Sequence, residues 1–265
     1  MTETAPVLPA APKVRRRWIG WVVAGGVLVV LLVVGFFVGE AAARAYASER
    51  IHDELVAAFE LEADHPTDID LGGGSLLLQA ASGTVDRVDV AIDDVPLGDL
   101  TGDVTLAATG VPIDTAQPAE TIAATATIDE QNVGSLRDYL SGIQLDSITL
   151  GDGVIDVSAT VQALFLSVPV AAAIEPTVTD GQLVFAPRSV TVNGSEVSVD
   201  ELMSGPLAGV ASGFLGAQTF CVAQYLPAAI TLDGVTVTTD ELELSFAGEN
   251  VALGGGDLST KGTCG

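Results

Sequence analysis

Hydrophobic and polar residues alternate over most of the chain beyond residue 84. Val88, Val90 and Ile92 alternate with acidic or small residues. Alternation with a period of two predicts strands that bury one face and expose the other, as antiparallel sheets do. Asn193 and Gly194 lie between two such runs and predict a two-residue hairpin turn. The other alternating runs cover residues 104–106, 122–128, 148–150, 154–161, 164–173, 190–199 and 230–253.

A different period precedes the strands. Residues 40–61 are rich in Ala, contain no Gly or Pro, and place Ile51, Leu55 and Phe59 at four-residue spacing, which predicts an amphipathic helix. Two further helices are expected, at residues 129–141 and after Asp200. About ten strands without a βαβ rhythm predict an α+β fold: one long antiparallel sheet packed on a few helices, as a single domain over residues 40–265.

Residues 18–39 contain no charged side chain. As a helix they would extend roughly 33 Å, enough to cross a bilayer core. Four basic residues precede this run, so residues 1–17 are predicted to be a cytoplasmic tail, with residues 18–39 as a single plasma-membrane span and the remainder extracytoplasmic. A cleaved signal peptide is the alternative, since Ala43-Arg44-Ala45 offers a cleavage pattern, although signal peptides have shorter apolar runs. Both interpretations place the body of the protein outside the cytoplasm.

The charge of the chain limits its partners. Its formal net charge is -25, and from Ala41 onward six basic residues stand against 33 acidic ones. Such a body repels phosphate backbones, which excludes nucleic acid as a partner. The even cysteine count in an oxidising compartment predicts a disulfide between Cys221 and Cys264, with two unpaired thiols as the alternative.

Catalytic patterns are sparse. The chain has no Gly-x-Ser-x-Gly motif, and His52 and His65 are interpreted as polar surface residues. Asp68 and Asp70 match a short acidic motif of glycosyltransferases, but no nucleotide-binding unit surrounds them. We therefore expect no enzyme, no cofactor and no dedicated metal site, while weak Ca²⁺ capture by clustered acids stays open.

The layout resembles the LmeA-like phospholipid-binding family of actinobacterial cell-envelope proteins over about residues 50–253. The resemblance departs from the family pattern where Gly and Ser replace the usual aromatic and proline before the first leucines. Besides the opening helix, it rests on Gly74-Ser-Leu-Leu-Leu-Gln79, Gly83-Thr-Val-Asp-Arg-Val-Asp-Val90, Leu226-Pro-Ala-Ala-Ile-Thr-Leu-Asp-Gly-Val-Thr-Val237 and Leu242-Glu-Leu-Ser-Phe-Ala-Gly248.

The resemblance implies a curved sheet rolled around a helix, with an apolar groove like that of tubular lipid-binding proteins. The resulting hypothesis is a membrane-anchored protein that holds phospholipid acyl chains and serves envelope lipid or lipoglycan maintenance in the periplasm. The few arginines of the folded body are the candidate headgroup contacts: Arg87, Arg137 and Arg188. The alternative is a non-catalytic envelope scaffold that binds a protein partner of unknown identity.

Overall fold

The computed structural model describes residues 17–97, 100–133, 145–163, 166–197, 218–253 and 260–264. Its first element is the 42-residue helix α1 (Arg17–Ala58), about 63 Å long. The apolar run and the predicted amphipathic segment therefore form one continuous helix. The helix ends three residues earlier than the sequence predicts, because Glu60 adopts a positive φ of 53° and the Leu61 N–H bonds back to the Val56 carbonyl at 2.9 Å.

Two short elements follow α1, in a stretch where the sequence predicts neither a helix nor a strand. Strand β1 (Thr67–Asp70) pairs antiparallel with the next strand, and helix α2 (Leu76–Ser82) comes shortly after Gly72, Gly73 and Gly74. Ser75 caps α2 through its hydroxyl, and Gly83 ends it with a φ of 91°. Neither element is long enough to show a period in the sequence.

Six strands form an antiparallel sheet, here called sheet A, in the order β1-β2-β3-β4-β12-β11. The pairing of β4 with β12 joins segments more than a hundred residues apart. Besides β1, its strands are β2 (Thr84–Leu97), β3 (Leu100–Pro112), β4 (Pro118–Asp129), β11 (Thr231–Val237) and β12 (Glu241–Ala252).

Sheet B contains the other six strands of the described part of the chain, in the order β10-β8-β7-β6-β5, with β9 paired to β8. The predicted hairpin is confirmed: β8 and β9 are joined by Asn193 and Gly194, with φ values of 51° and 80°. The strands are β5 (Leu145–Leu150), β6 (Ile155–Ala163), β7 (Leu166–Thr179), β8 (Gln182–Val192), β9 (Ser195–Val197) and β10 (Gln218–Phe220).

The core of sheet A lies under α1. Ile92 and Val95 are 1 % and 0 % exposed and pack with Ile51 and Leu55 of α1 and with Phe59, which directly follows the helix. The helical stripe predicted at these three positions is therefore confirmed. A second cluster joins the two sheets, because Ile128 and Leu242 of sheet A pack with Ile148, Leu150 and Ile155 of sheet B.

The predicted antiparallel α+β architecture is confirmed, but its strands divide between two sheets instead of one. Alternation reveals which face of a strand is buried, whereas the choice of partner strand depends on distant contacts. The predicted second helix is present as α3 (Glu130–Val133), and its remainder lies outside the described residues. The helix predicted after Asp200 falls in residues 198–217, which also lie outside them.

Candidate functional site

Sheet B carries a row of small aliphatic side chains on the face that contains Val190. Antiparallel pairing places Ala172 beside Val157 on one flank and beside Val190 on the other. Val170 precedes Ala172 by two residues on the same face of β7, and it lies between Ala159 and Val192. We call this set the aliphatic strip: Val157, Ala159, Val168, Val170, Ala172, Val190, Val192 and Val197.

The aliphatic strip is covered unevenly. Val190 and Ala159 are 2 % and 8 % exposed, whereas Val170, Ala172 and Val192, which pack against Val190, are partly buried and keep some contact with solvent. On sheet A, Ile92 is 1 % exposed beneath α1, while Leu106, Leu244 and Phe246 around it are partly buried, as the strip residues are. The strip contains no charged and no aromatic side chain, so it is suited to binding an apolar, flexible ligand.

The strip adjoins the cluster that joins the two sheets. Ile155 is buried in that cluster and pairs with Ile174, one step from the pair formed by Val157 and Ala172. Apolar surface is therefore continuous from the sheet junction along β6, β7 and β8. Hydrocarbon lying along this surface would exchange water contact for aliphatic contact over its whole length.

Arg188 lies beside this surface, at the bulge where the register of β7 and β8 shifts between Ala173 and Ile174. It is exposed, and it is two residues from Val190 along β8. Among the described residues, no carboxylate lies within ion-pair distance of its guanidinium. The geometry therefore places a cation near the aliphatic strip.

Arg87 has a different setting, on the opposite sheet. Its Nη2 donates to Asp89 Oδ1 at 2.7 Å, and this hydrogen bond raises the pKa of Arg87 and lowers that of Asp89. Asp68 and Asp70 lie on the same outer face of sheet A, around an open depression of about 370 Å³ floored by alanines and threonines. Three carboxylates against one guanidinium leave this depression net negative.

The structure brings the predicted cysteines together, whereas the two predicted arginines that it describes lie apart. Cys221 and Cys264 form a disulfide with a Cα–Cα distance of 5.8 Å, which confirms that prediction. Arg87 and Arg188 lie on different sheets. Arg137 falls in residues 134–144, outside the described residues.

Sequence reasoning missed a polar cluster at the end of the apolar run. The Glu40 carboxylate accepts hydrogen bonds from the N–H groups of Leu76 and Leu77, at 2.7 and 3.1 Å, and from the Ser75 hydroxyl at 2.8 Å. Arg44 Nε donates to Glu40 at 2.9 Å. We call these residues the Glu40 clamp. Glu at i and Arg at i+4 gave a local signal, but nothing in the sequence indicated that their partner is α2.

The histidines make structural contacts. His52 bridges the α1 segment to the Thr67 hydroxyl at 2.7 Å and to the Ala63 carbonyl at 3.1 Å. His65 Nε2 lies 2.7 Å from the Asp93 carbonyl. Within the described ranges, no three His, Cys, Asp or Glu side chains are placed to hold a metal ion together.

The fold and the aliphatic strip define an antiparallel β protein with an apolar sheet face that is partly covered. The LmeA-like phospholipid-binding family matches residues 38–247, most of the chain, so the protein belongs to that family. The match begins at the end of the apolar run and ends within β12. No curated protein and no solved structure matches the chain.

Proposed function

We propose that the protein binds phospholipid by holding acyl chains against the aliphatic strip of sheet B. The observation that carries the proposal is this uncharged, incompletely covered strip in a member of a phospholipid-binding family. Burying a methylene group contributes about 0.8 kcal/mol, so a chain laid along several strands gains enough to hold a lipid.

The proposal includes a membrane anchor. Residues 26–58 contain an 18-residue window of mean hydropathy 2.4, none of it buried, so α1 is long and apolar enough to cross a membrane. A signal sequence would have the same property. The retained span is favoured because α1 continues without a break into the helix that packs on sheet A. The basic residues before the run then place the N-terminus in the cytoplasm and the sheets in the extracytoplasmic envelope.

Within this proposal, headgroup contact falls to arginines and the role is binding, not catalysis. Arg188 is the better placed of the two described candidates, because Arg87 is engaged by Asp89. Maintenance of envelope lipids or lipoglycans is the role we assign to the bound lipid.

The proposal is tested by filling the strip. In Ala172→Trp an indole takes the place of a methyl group at the centre of the strip, whereas Ala171→Trp places the same indole on the opposite face of the same strand. The full chain is purified in mild detergent, and co-purifying phospholipid is quantified by mass spectrometry. We expect a several-fold loss of bound lipid in the Ala172 variant and an unchanged amount in the Ala171 variant.

A smaller substitution distinguishes loss of lipid binding from misfolding of the tryptophan variant. Val170→Thr keeps the shape of the side chain but introduces a hydroxyl into the strip, so it should lower lipid content while thermal unfolding stays close to the parent's. Equal lipid content in the three variants and the parent would contradict binding at this face. A parent that is free of lipid and holds a stable protein partner would instead favour the scaffold alternative.

A further inference from the structure

Helix α2 packs against α1 at the level where the apolar run ends. A methyl group built on Gly39, the last residue of that run, would lie 3.4 Å from Leu77 Cδ1. The next residue, Glu40, holds the first two N–H groups of α2. If residues 18–39 fill the bilayer core, α2 is therefore at the height of the lipid headgroups.

The Glu40 clamp fixes α2 on α1. Besides its bond to Glu40, Arg44 donates to the Gly72 carbonyl at 3.1 Å and to the Gly74 carbonyl. Both sides of the turn that leads into α2 are thus attached to one turn of α1. Charge-assisted hydrogen bonds of this kind are stronger than neutral ones, so α2 and the span move as one unit.

Helix α2 has a covered and an uncovered side. Leu76 and Gln79 are buried against the domain, and Gln79 Oε1 accepts the Asp86 N–H at 2.9 Å. Leu78 faces outward and is 66 % exposed. Ile113, at the turn after β3, is 52 % exposed and its N–H bonds to the carbonyl of Gly83, the C-cap of α2, at 3.0 Å. Two large aliphatic side chains are therefore uncovered beside the end of the span.

The surface around these side chains differs in charge from the rest of the body. Residues 71–85 contain no ionisable side chain, although 33 acidic residues follow position 41. The charge of Glu40 is compensated by Arg44. Asp70 directly precedes this uncharged stretch and accepts the Gly72 N–H at 2.8 Å, Asp86 follows the stretch, and Asp114 follows Ile113. An anionic membrane surface would repel most of this protein, but it would not repel α2.

We propose that α2 and the β3–β4 turn form a docking edge that rests in the extracytoplasmic leaflet of the membrane crossed by α1, with Leu78 and Ile113 inserted among the lipids. The proposal rests on the membrane anchor of the proposed function. Aliphatic side chains beside a span gain from burial in the interfacial region, and the continuous α1 helix brings them there without a linker. One end of sheet A, where β2 begins and β3 ends, then faces the bilayer, and the turn between β11 and β12 points away from it.

Site-specific fluorescence tests the docking edge in the full chain. Because both native cysteines are bonded, Leu78→Cys, Ile113→Cys and Thr239→Cys each provide a single free thiol for an environment-sensitive dye. Thr239 is exposed in the turn at the opposite end of sheet A and serves as the matched control. The labelled proteins are reconstituted into vesicles of phosphatidylcholine with a minor fraction of phosphatidylglycerol, with or without lipids that carry a quencher near the glycerol backbone.

We expect the dyes at positions 78 and 113 to shift to the blue and to be quenched several-fold more by the lipid-borne quencher than the dye at 239. Aqueous iodide should quench in the reverse order. Equal behaviour at all three positions would overturn the docking edge. The proposed lipid binding is measured separately, as the amount of lipid bound to unlabelled protein in detergent. If the dyes behave equally but lipid is still bound, the docking edge is contradicted and the proposed lipid binding is not.

Discussion

Glu40 is the residue at which the apolar run meets the folded domain. Its side chain is 14 % exposed and accepts three hydrogen bonds from the start of α2 as well as one from Arg44. The N–H of Leu76 is the main cause that lowers the pKa of Glu40 from 4.5 to about 2, followed by Leu77, Ser75 and Arg44, against an opposing effect of desolvation. A carboxylate held in this way favours the folded arrangement only while it is ionised.

This shift predicts a pH-dependent contribution to stability. Because the folded-state pKa lies below the unfolded-state value, the contribution of Glu40 is complete above about pH 4.5 and is lost as the pH falls towards 2. In Glu40→Gln an amide faces the same N–H groups, so the variant should melt at a lower temperature than the parent near neutral pH. The difference should narrow between pH 4.5 and 2 when thermal unfolding is followed in detergent micelles.

The control for this prediction is Glu49→Gln, which removes an exposed carboxylate from the same helix. Its melting temperature should follow that of the parent at every pH. A difference between Glu40→Gln and the parent that stays constant down to pH 2 would mean that the charge of Glu40 does not hold α2 in place.

At the scale of single elements, the sequence predicts what depends on near neighbours. The alternation of Val88, Val90 and Ile92 correctly indicated a strand with one buried face, and Asn193-Gly194 correctly indicated the hairpin of β8 and β9. Helix α2 could not be predicted, because its seven residues contain three successive leucines without a helical period and its cap partner Glu40 is 35 residues before Ser75.

The candidate site was predictable only in part for the same reason. Alternation indicates that Val170 and Ala172 share a face, but their partial exposure depends on which elements cover sheet B. The pairing of Arg87 with Asp89, two positions along one strand, removes a cation that composition alone counts as available. The exposure of the strip depends on distant contacts, whereas the Arg87–Asp89 pair follows from a spacing of two along one strand and is a signal that the sequence contains.

The last segment of the chain is attached by the disulfide and by backbone contacts. Ala228 N–H bonds to the Thr260 carbonyl at 2.8 Å and Gly262 N–H to the Leu226 carbonyl at 3.1 Å. Cys221 and Cys264 are 43 positions apart. On the chain-entropy argument, closing such a loop contributes roughly 4 kcal/mol by restricting the unfolded chain.

Removing the bond tests this contribution. The double variant Cys221→Ala/Cys264→Ala should lose about 4 kcal/mol in the free energy of unfolding, measured by urea denaturation against the oxidised parent. The parent, unfolded without reductant, should show no titratable thiol. Two titratable thiols in the parent, or the same urea midpoint in both proteins, would contradict a structural disulfide.

At the scale of the whole molecule, the negative charge of the body opposes the approach of an anionic phospholipid. With six basic residues against 33 acidic ones after Ala41, the body repels anionic lipid at a distance, but salt at physiological strength screens this field over about 8 Å. Contact energetics therefore decide binding. An exposed guanidinium such as Arg188 contributes at most about 1 kcal/mol, whereas each buried methylene contributes about 0.8 kcal/mol.

Affinity should consequently depend on acyl-chain length more than on the headgroup. From dihexanoyl to diheptanoyl to dioctanoyl phosphatidylcholine, each step adds two methylenes and should strengthen binding by up to about 1.6 kcal/mol, or roughly 15-fold. Displacement of a fluorescent phosphatidylcholine from the detergent-solubilised full chain measures the series. Three other changes leave the buried hydrocarbon surface unaltered: phosphatidylglycerol of equal chain length, raised salt and Arg188→Gln. Each of them should therefore change the affinity by less than the roughly 15-fold expected for two methylenes. Equal affinity across the chain-length series, or binding that collapses as salt is raised, would instead assign the dominant contribution to the headgroup and would contradict acyl-chain binding on the aliphatic strip.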